Sequence, residues 1–342
     1  MLDLYDHLAR DGLRIGERLK DVEDGSARHA LGLQRIEPLG GGPARAADFD
    51  QLTLIAPAAP GEGWDSTARA MQDALQASGV VTSAQVENVT GAGGTRGLVQ
   101  FMRKKGDPNT WMVSGLIVVG ATIANKTPVT VLDVTPVARL TSEWQASAVT
   151  PESKIKTLQD LAAALKANPT AVSWGGGSAG GTDHIVAALV TKAAGGDPAK
   201  VNYVAHSGGG ESLAAILGNH VTLGVNSVSE FMPQVQAGKL KIIGVSSESR
   251  IPGIDAPTFK EAGLDVVLGN WRAVLAAPGV SDADRAKIVV AVDKMAKSEA
   301  WRAKLKERGW EDNYLSGAAF RTFLVDEQKR VAEILTTVGI GR

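Results

Sequence analysis

Apolar and polar positions along this chain alternate between two periods. Short runs such as Leu52-Thr-Leu-Ile-Ala56, Ala84 to Asn88, Trp111 to Val119, Val172 to Trp174 and Val201 to Ala205 read as buried strands. Between them lie stretches of helical spacing: Thr67 to Ser78, Thr95 to Lys104, Asp183 to Ala194 and a segment ending at Leu217. Thr157-Leu-Gln-Asp160 opens a further helix that stops at Asn168-Pro169, and Asp65 or Ser66 is placed to cap the first one. Val137 to Leu140 and Ala146 to Val149 are strand-like and suited to cross between domains. Val221 to Val225, Lys241 to Val245 and Gly269 to Ala277 are further strands, the last carrying the chain back to the first domain. The tail is helical: Asp282 to Lys297, Ala300 to Glu307 and Ser316 to Thr336. Strands that alternate with helices predict a largely parallel sheet with helices on both faces.

The strand-to-helix junctions carry the chemistry. Pro57-Ala-Ala-Pro-Gly-Glu-Gly-Trp-Asp65, Gly91-Ala-Gly-Gly-Thr95 and Gly175-Gly-Gly-Ser-Ala-Gly-Gly-Thr182 each follow a strand and open a helix. The first N–H groups of a helix have no partner within it, and the helix dipole is positive there. Such a junction attracts an anion without a charged side chain. In open α/β sheets these loops lie where ligands bind, outside the carboxyl ends of the strands.

Composition narrows the classes. The chain has 342 residues, 44% hydrophobic and 21% charged, enough for two α/β domains. A net charge of -1 and 5% aromatics give no footprint for nucleic acid or an anionic membrane. Cysteine is absent, which excludes disulfides, thiolate metal sites and a cysteine nucleophile. No run of about 18 apolar residues can span a membrane. Met1 to Asp48 has neither a basic start nor an apolar core and does not read as a signal peptide, although Ala44-Arg-Ala46 would suit cleavage. Leu4, Leu8, Ile15 and Leu19 place an amphipathic helix over Leu2 to Lys20, and Gly40-Gly-Gly-Pro43 reads as a linker.

Enzymatic readings meet specific obstacles. Gly175 to Gly180 fits G-x-G-x-x-G, but the next strand ends at His206 where a dinucleotide site wants an acid. No P-loop and no metal-ligand spacing occurs, so neither cofactor nor metal is expected. Gly176-Gly-Ser178-Ala-Gly180 fits the G-x-S-x-G elbow of a serine hydrolase, with His206 and His220 downstream as candidate bases. That alternative stays open beside a role for Ser178 and Thr182 as ligand-binding or capping hydroxyls. Arg69, Arg96 and Arg272 are candidate carboxylate forks, against the ordinary reading of arginines on solvated faces.

Taken together, Ala56 to Arg69, Asn88 to Thr95, Gly175 to His184, Tyr203 to Glu211, Gln236 to Lys241 and Gly244 to Arg250 resemble the solute-binding receptors of tripartite tricarboxylate transporters, the TctC or Bug family. The resemblance covers roughly Leu52 to Lys329 and looks most like the tricarboxylate branch. It implies a type II periplasmic binding protein fold, two α/β lobes that close on ligand like a hinged clamp. Residues 1–50 would be an atypical extension, 51–145 with 252–342 the first lobe, and 146–251 the second. The implied ligand contacts are Ala58, Pro60, Gly61, Gly63, Trp64, Asp65, Gly93, Gly94 and Thr95 from the first lobe. The second lobe would add Ser178, Ala179, Gly180, Gly181, Thr182, His206, Ser207, Gly208 and Asn226. The implied function is non-catalytic: a periplasmic monomer that binds a di- or tricarboxylate such as citrate and docks on membrane permease subunits. Members normally carry a secretion signal, and Glu62 stands where a glycine is usual. Its charge is unfavourable near an anion unless it points outward.

Overall fold

A computed structural model describes residues 47–337 with Gly339 and Ile340; the helix expected over Leu2 to Lys20 and the Gly40–Pro43 linker lie outside the described residues. The chain runs β1 (Phe49–Ala56), α1 (Gly63–Ala77), β2 (Val81–Asn88), α2 (Thr95–Phe101), β3 (Thr110–Gly115), α3 (Leu116–Ala124) and β4 (Thr135–Val149). It continues α4 (Leu158–Ala167), β5 (Ser173–Gly176), α5 (Thr182–Ala193), β6 (Asn202–Ala205), α6 (Gly209–Leu217), β7 (Leu223–Ser227), α7 (Val228–Gln236) and β8 (Lys241–Val245). It ends β9 (Gly269–Ala276), α8 (Asp282–Lys297), α9 (Glu299–Arg308), β10 (Glu311–Ser316) and α10 (Gly317–Thr337).

The long strand β4 organises everything else. Its residues Thr135 to Trp144 pair with β9, and β10 also pairs with this part; Gln145 to Val149 pair instead with β7 and β8. The main strand order is β2-β1-β3-β9-β4-β7-β5-β6, so two half-sheets share one strand. Each half keeps a parallel core, β2-β1-β3 in one and β6-β5-β7 in the other. Every pairing made by β4, and that of β3 with β9, is antiparallel. The sheet is therefore mixed rather than largely parallel. The crossing strands run against their neighbours, which a strand-helix alternation along the sequence does not reveal.

Most boundaries follow from local chemistry. Thr157 and Asp160 form a reciprocal capping box at the start of α4, with Asp160 N–H to Thr157 Oγ1 at 3.1 Å and Thr157 N–H to Asp160 Oδ2 at 3.0 Å. Ser281 caps α8 one way only, its hydroxyl accepting from Asp284 N–H at 3.1 Å. The apolar run Trp111 to Val119 is not one strand: β3 stops at Gly115 and α3 follows at once. Period cannot separate a buried strand from a helix that is apolar all round. The first helix begins at Gly63 with Glu62 as its N-cap residue, not at Asp65 or Ser66.

The core is continuous across both half-sheets. Leu54, Ile55, Trp111, Met112 and Val274 are buried in the first half, and Trp174, Ile185 and Leu223 in the second. A smaller cluster around Ala146, Ala148, Ile216 and Phe231 seats α6 and α7 against β4. Burying a large apolar side chain stabilises by about 1.5–3 kcal/mol, so these contacts hold the loops at the strand ends in fixed relation. Among the described residues no helix is long and apolar enough to cross a membrane.

Candidate ligand-binding cleft

Loops from both half-sheets meet at one cleft of about 210 Å³. From the first half come Ala58, Glu62, Gly63 and Trp64 of the β1–α1 loop, Thr90, Gly93 and Gly94 of the β2–α2 loop, and Ile117 of α3. The second half adds Gly177, Ser178, Gly181, Thr182 and Asp183 of the β5–α5 loop, Ser207 to Gly209 before and within α6, and Asn226, Ser227 and Glu230 at the β7–α7 junction. Asn270 and Arg272 of β9 form the floor. The opposed loops are close: a β-carbon on Gly93 would lie 3.4 Å from Ser178 Cβ, and one on Gly120 only 2.0 Å from Gly180 O.

Three helix starts point into this space. Gly63 and Trp64 begin α1, Thr182 and Asp183 begin α5, and Gly209 begins α6; their N–H groups lack intrahelical acceptors. Hydroxyls of Thr90, Ser178, Thr182 and Ser207 stand beside them. The Thr182 hydroxyl bonds Asn270 Oδ1 at 3.1 Å, which ties the second half to β9. Gly94, at φ 85°, supports the Trp64 ring; a β-carbon there would meet the ring at 2.7 Å, so only glycine lets Trp64 close that wall.

Several expected contacts are used up by the loops themselves. Asp65, 2% exposed, accepts from Gly61 N–H at 2.8 Å, Asn88 Nδ2 at 2.9 Å and Arg69 Nε at 2.9 Å. Burial pushes its carboxyl up, but these donors hold it below the ordinary carboxylate range. It braces the loop that carries it, and like Pro60 and Gly61 it is not among the residues that line the cleft. Thr95 turns its hydroxyl to Ala92 O at 2.9 Å. Gly180 N–H donates to His184 Nδ1 at 3.2 Å, and Ala179 with Gly180 lies outside the lining. His206 lies against Gly176 O, with Nδ1 at 3.0 Å. Of the three arginines, Arg69 is half-exposed beside Asp65, and Arg96 packs on Gly91 but is not among the residues that line the cleft. Arg272 alone reaches the cleft, and there Glu143 holds it at 2.5 Å with both side chains buried.

The acidic groups are where the structure adds most. Glu62 points inward: its Oε2 accepts from Ala59 N–H at 3.0 Å and its carboxylate lies against Gly208. Burial raises its pKa, and the charges of Glu211 and Asp65 add to that. Asp183 accepts from Gly177 N–H at 2.8 Å; burial nonetheless pushes its carboxyl up to about 7. Glu230 is pushed up to about 7 by burial, then by the charge of Glu143, against the pull of Arg272. Asp183 was signalled by its place one residue past the start of a helix after a glycine loop. Glu230 and Asn270 carried no such signal, because their strand ends contain no glycine run.

The hydrolase arrangement is not assembled. Among the described residues no histidine ring makes a hydrogen bond to the Ser178 hydroxyl. His184 stacks on Tyr203 at 4.1 Å, and burial lowers its pKa to about 4. His206 is held at Gly176. No cluster of three or more metal-ligating side chains occurs among the described residues.

Residues 67–340 match the model of the tripartite tricarboxylate transporter family receptor, TctC. The chain belongs to the TctC receptor family. Its members are transport receptors, which decides against the serine-hydrolase alternative. Protein BugT of Bordetella pertussis is 26% identical over 298 residues, covering 84% of this chain and 89% of that one. A TctC solute binding protein from Polaromonas is 25% identical with a TM-score of 0.64, covering 84% of this chain and 98% of that one. MatC of Rhodopseudomonas palustris, solved with bound malate, is 23% identical with a TM-score of 0.71, covering 84% and 99%. The two half-sheets sharing β4 are thus the periplasmic-binding-protein architecture of TctC receptors.

Proposed function

We propose that this TctC receptor works in the periplasm, captures a small carboxylate between the two half-sheets, and delivers it unchanged to the membrane permease subunits of a tripartite transporter. One observation carries the reading: the first turns of α1, α5 and α6, drawn from both halves, converge with four hydroxyls on one small cleft. A carboxylate that bridges those helix starts favours the closed arrangement over the open one. In this reading residues 51–145 and 252–342 move as one lobe and 146–251 as the other. The natural hinge is the middle of β4, where pairing passes from β9 to β7 between Trp144 and Gln145.

Ala58, Gly63, Trp64, Gly93, Gly94, Ser178, Gly181, Thr182, Ser207, Gly208 and Asn226 are the proposed contacts among those expected from sequence. The malate held by MatC supports a carboxylate as the class of ligand. A dicarboxylate is favoured over a citrate-like trianion. A cleft of about 210 Å³ is below the ~300–1,000 Å³ usual for drug-sized ligands, and three acidic side chains line it. We expect the receptor to act as a monomer.

The test is a calorimetric and thermal-shift panel of citrate, tricarballylate, succinate, glutamate, terephthalate and nicotinate. At a hundredfold excess over Kd a true ligand stabilises by about 2.7 kcal/mol. Stabilisation by NAD or ATP, with none by any carboxylate, would overturn the reading.

A further inference from the structure

Two stretches of the described chain pass from one half-sheet to the other. One is β4, between Trp144 and Gln145; the other leaves β8 at Val245 and enters β9 at Gly269. Both meet at Ser246. Ser246 N–H donates to Gln145 O at 2.9 Å, as one half of an ordinary antiparallel pair. The return bond is different: Gln145 N–H donates at 2.9 Å to the Ser246 hydroxyl, not to its carbonyl. The carbonyl is thereby left for the second crossing segment and accepts from Leu268 N–H at 3.0 Å. The hydroxyl then donates onward to Leu268 O at 2.7 Å. Ser246 thus makes one backbone bond and one hydroxyl bond to each crossing segment.

This point is dry. Ser246 and Gln145 are 0% exposed and Leu268 is 2% exposed, so water cannot stand in for the hydroxyl. It also reaches toward the cleft: Gln145 Nε2 lies 3.5 Å from the hydroxyl of Ser227, a lining residue. Ser246 belongs to the stretch Gly244 to Arg250, which lines no part of the cleft, so ligand contact does not account for it.

Domain closure is absorbed by a few residues at the ends of elements. A backbone carbonyl is fixed to its strand, and its bond is strained as the neighbouring strand turns. A hydroxyl sits on one rotatable bond and can follow two partners at once. On the two-lobe reading given above, we propose that Ser246 is the joint of the clamp, a positioning residue whose hydroxyl pins both crossing segments at one point while the lobes turn about it. Pinned there, the lobes share one path of closure, and the opposed loops meet in register. Without the hydroxyl, Gln145 N–H and Leu268 O lose their buried partners and the two segments bend independently.

The chain has no cysteine, so spin labels attach only where cysteines are introduced. Ser83→Cys on β2 and Asn202→Cys on β6 place exposed labels on the two outermost strands of the main sheet order. Double electron–electron resonance then reads the spread of distances between the lobes with no ligand added. Ser246→Ala should widen that spread by about twofold or more. Thr191→Ala removes an equally buried hydroxyl inside α5, bonded to Ala187 O, and should lower Tm without widening it. An unchanged spread in Ser246→Ala, or equal widening in Thr191→Ala, overturns the inference. Should Ser246→Ala fail to fold, amide exchange in the wild-type protein decides. A joint that holds through closure keeps the amides of Gln145 and Leu268 within about tenfold of the exchange rates at the centre of β9. Exchange there about a hundredfold faster or more would show that these bonds break as the lobes move, and would overturn the inference. No ligand enters either measurement, so such a failure leaves the carboxylate reading of the cleft standing. Absence of carboxylate binding in the panel would likewise leave the joint standing.

Discussion

The Glu62 carboxylate of one half-sheet rests against Gly208 of the other, so close that a β-carbon on Gly208 would lie 1.6 Å from Glu62 Oε1. This contact joins the N-cap residue of α1 to the N-cap residue of α6. It places an acid at the point where the two helix starts face each other. Glu62 thus satisfies Ala59 N–H on its own side and borders the opposite loop.

Gly208→Ala should therefore separate binding from folding. Gly208 has extended backbone angles that alanine adopts without strain, and the group in the way is the free end of a flexible side chain. We expect Tm within about 2 °C of wild type and ligand affinity down by roughly tenfold, because Glu62 must leave the position in which the loops close. Calorimetry beside a thermal melt reads both. Unchanged affinity would show that this approach plays no part in closure.

Arg272 and Glu143 make the opposite case, a buried pair whose loss is felt by the whole fold. Arg272 Nη2 holds Glu143 Oε2 at 2.5 Å, its Nη1 reaches Thr67 Oγ1 at 3.3 Å, and Ser229 donates to the other Glu143 oxygen. Removing one charge leaves the other buried and unpaired, at a cost of about 3–5 kcal/mol. Arg272→Met should lower Tm by roughly 5–15 °C. Adding Glu143→Leu should recover most of that loss, since two apolar groups leave no orphan charge. A double variant as unstable as the single one would show that the pair stabilises beyond its own desolvation.

How far the sequence spoke for this site depends on the kind of signal. Glycine loops at strand ends mark the cleft directly, because small residues and free first-turn amides are both cause and label of such a junction. The helix Asp282 to Lys297 and the strand Lys241 to Val245 are legible from period alone. Strand β10 is not, because its edge residues Glu311 to Ser316 are half-exposed and show no alternation. Helix α7 holds Pro233 and begins with serines and an acid, so its pattern resembles a loop. Asp65 and His206 look like ligand contacts in the sequence, yet Asp65 is turned back on the loop that carries it and His206 onto Gly176 at the end of the neighbouring strand β5. A polar residue next to a glycine loop has the loop's own backbone groups as its nearest partners, and those partners are invisible before the chain is folded.

The raised carboxyls predict a specific pH response. Asp183 and Glu230 sit at about 7 in the fold, above their ordinary values of 3.8 and 4.5. The native state thus binds more protons than the unfolded one between roughly pH 4 and 7. Their contribution is fully present below that window and is lost as pH rises through about 7. His184, lowered to about 4 by burial, acts in the other sense and destabilises as pH falls from 6.5 towards 4. Comparison with Glu230→Gln isolates one carboxyl. Between pH 5 and pH 8 the variant should gain about 1–3 kcal/mol on wild type in urea denaturation. A constant difference across that range would show that Glu230 titrates normally.

Ser178 tests the kind of work done at the cleft. Its β-carbon lies near Gly93 across the opening, and its hydroxyl has no histidine partner to draw off the proton. In the proposed reading that hydroxyl donates a hydrogen bond to bound carboxylate, worth on the order of 1–3 kcal/mol when buried. Ser178→Ala should then weaken ligand binding by about 5- to 150-fold and leave Tm without ligand unchanged. Wild-type protein should show no turnover of activated esters above the background of a Ser178→Ala sample prepared in parallel. A wild-type rate that vanishes in the variant would mean that closure brings a base to Ser178, and the cleft would have to be read as a catalytic one.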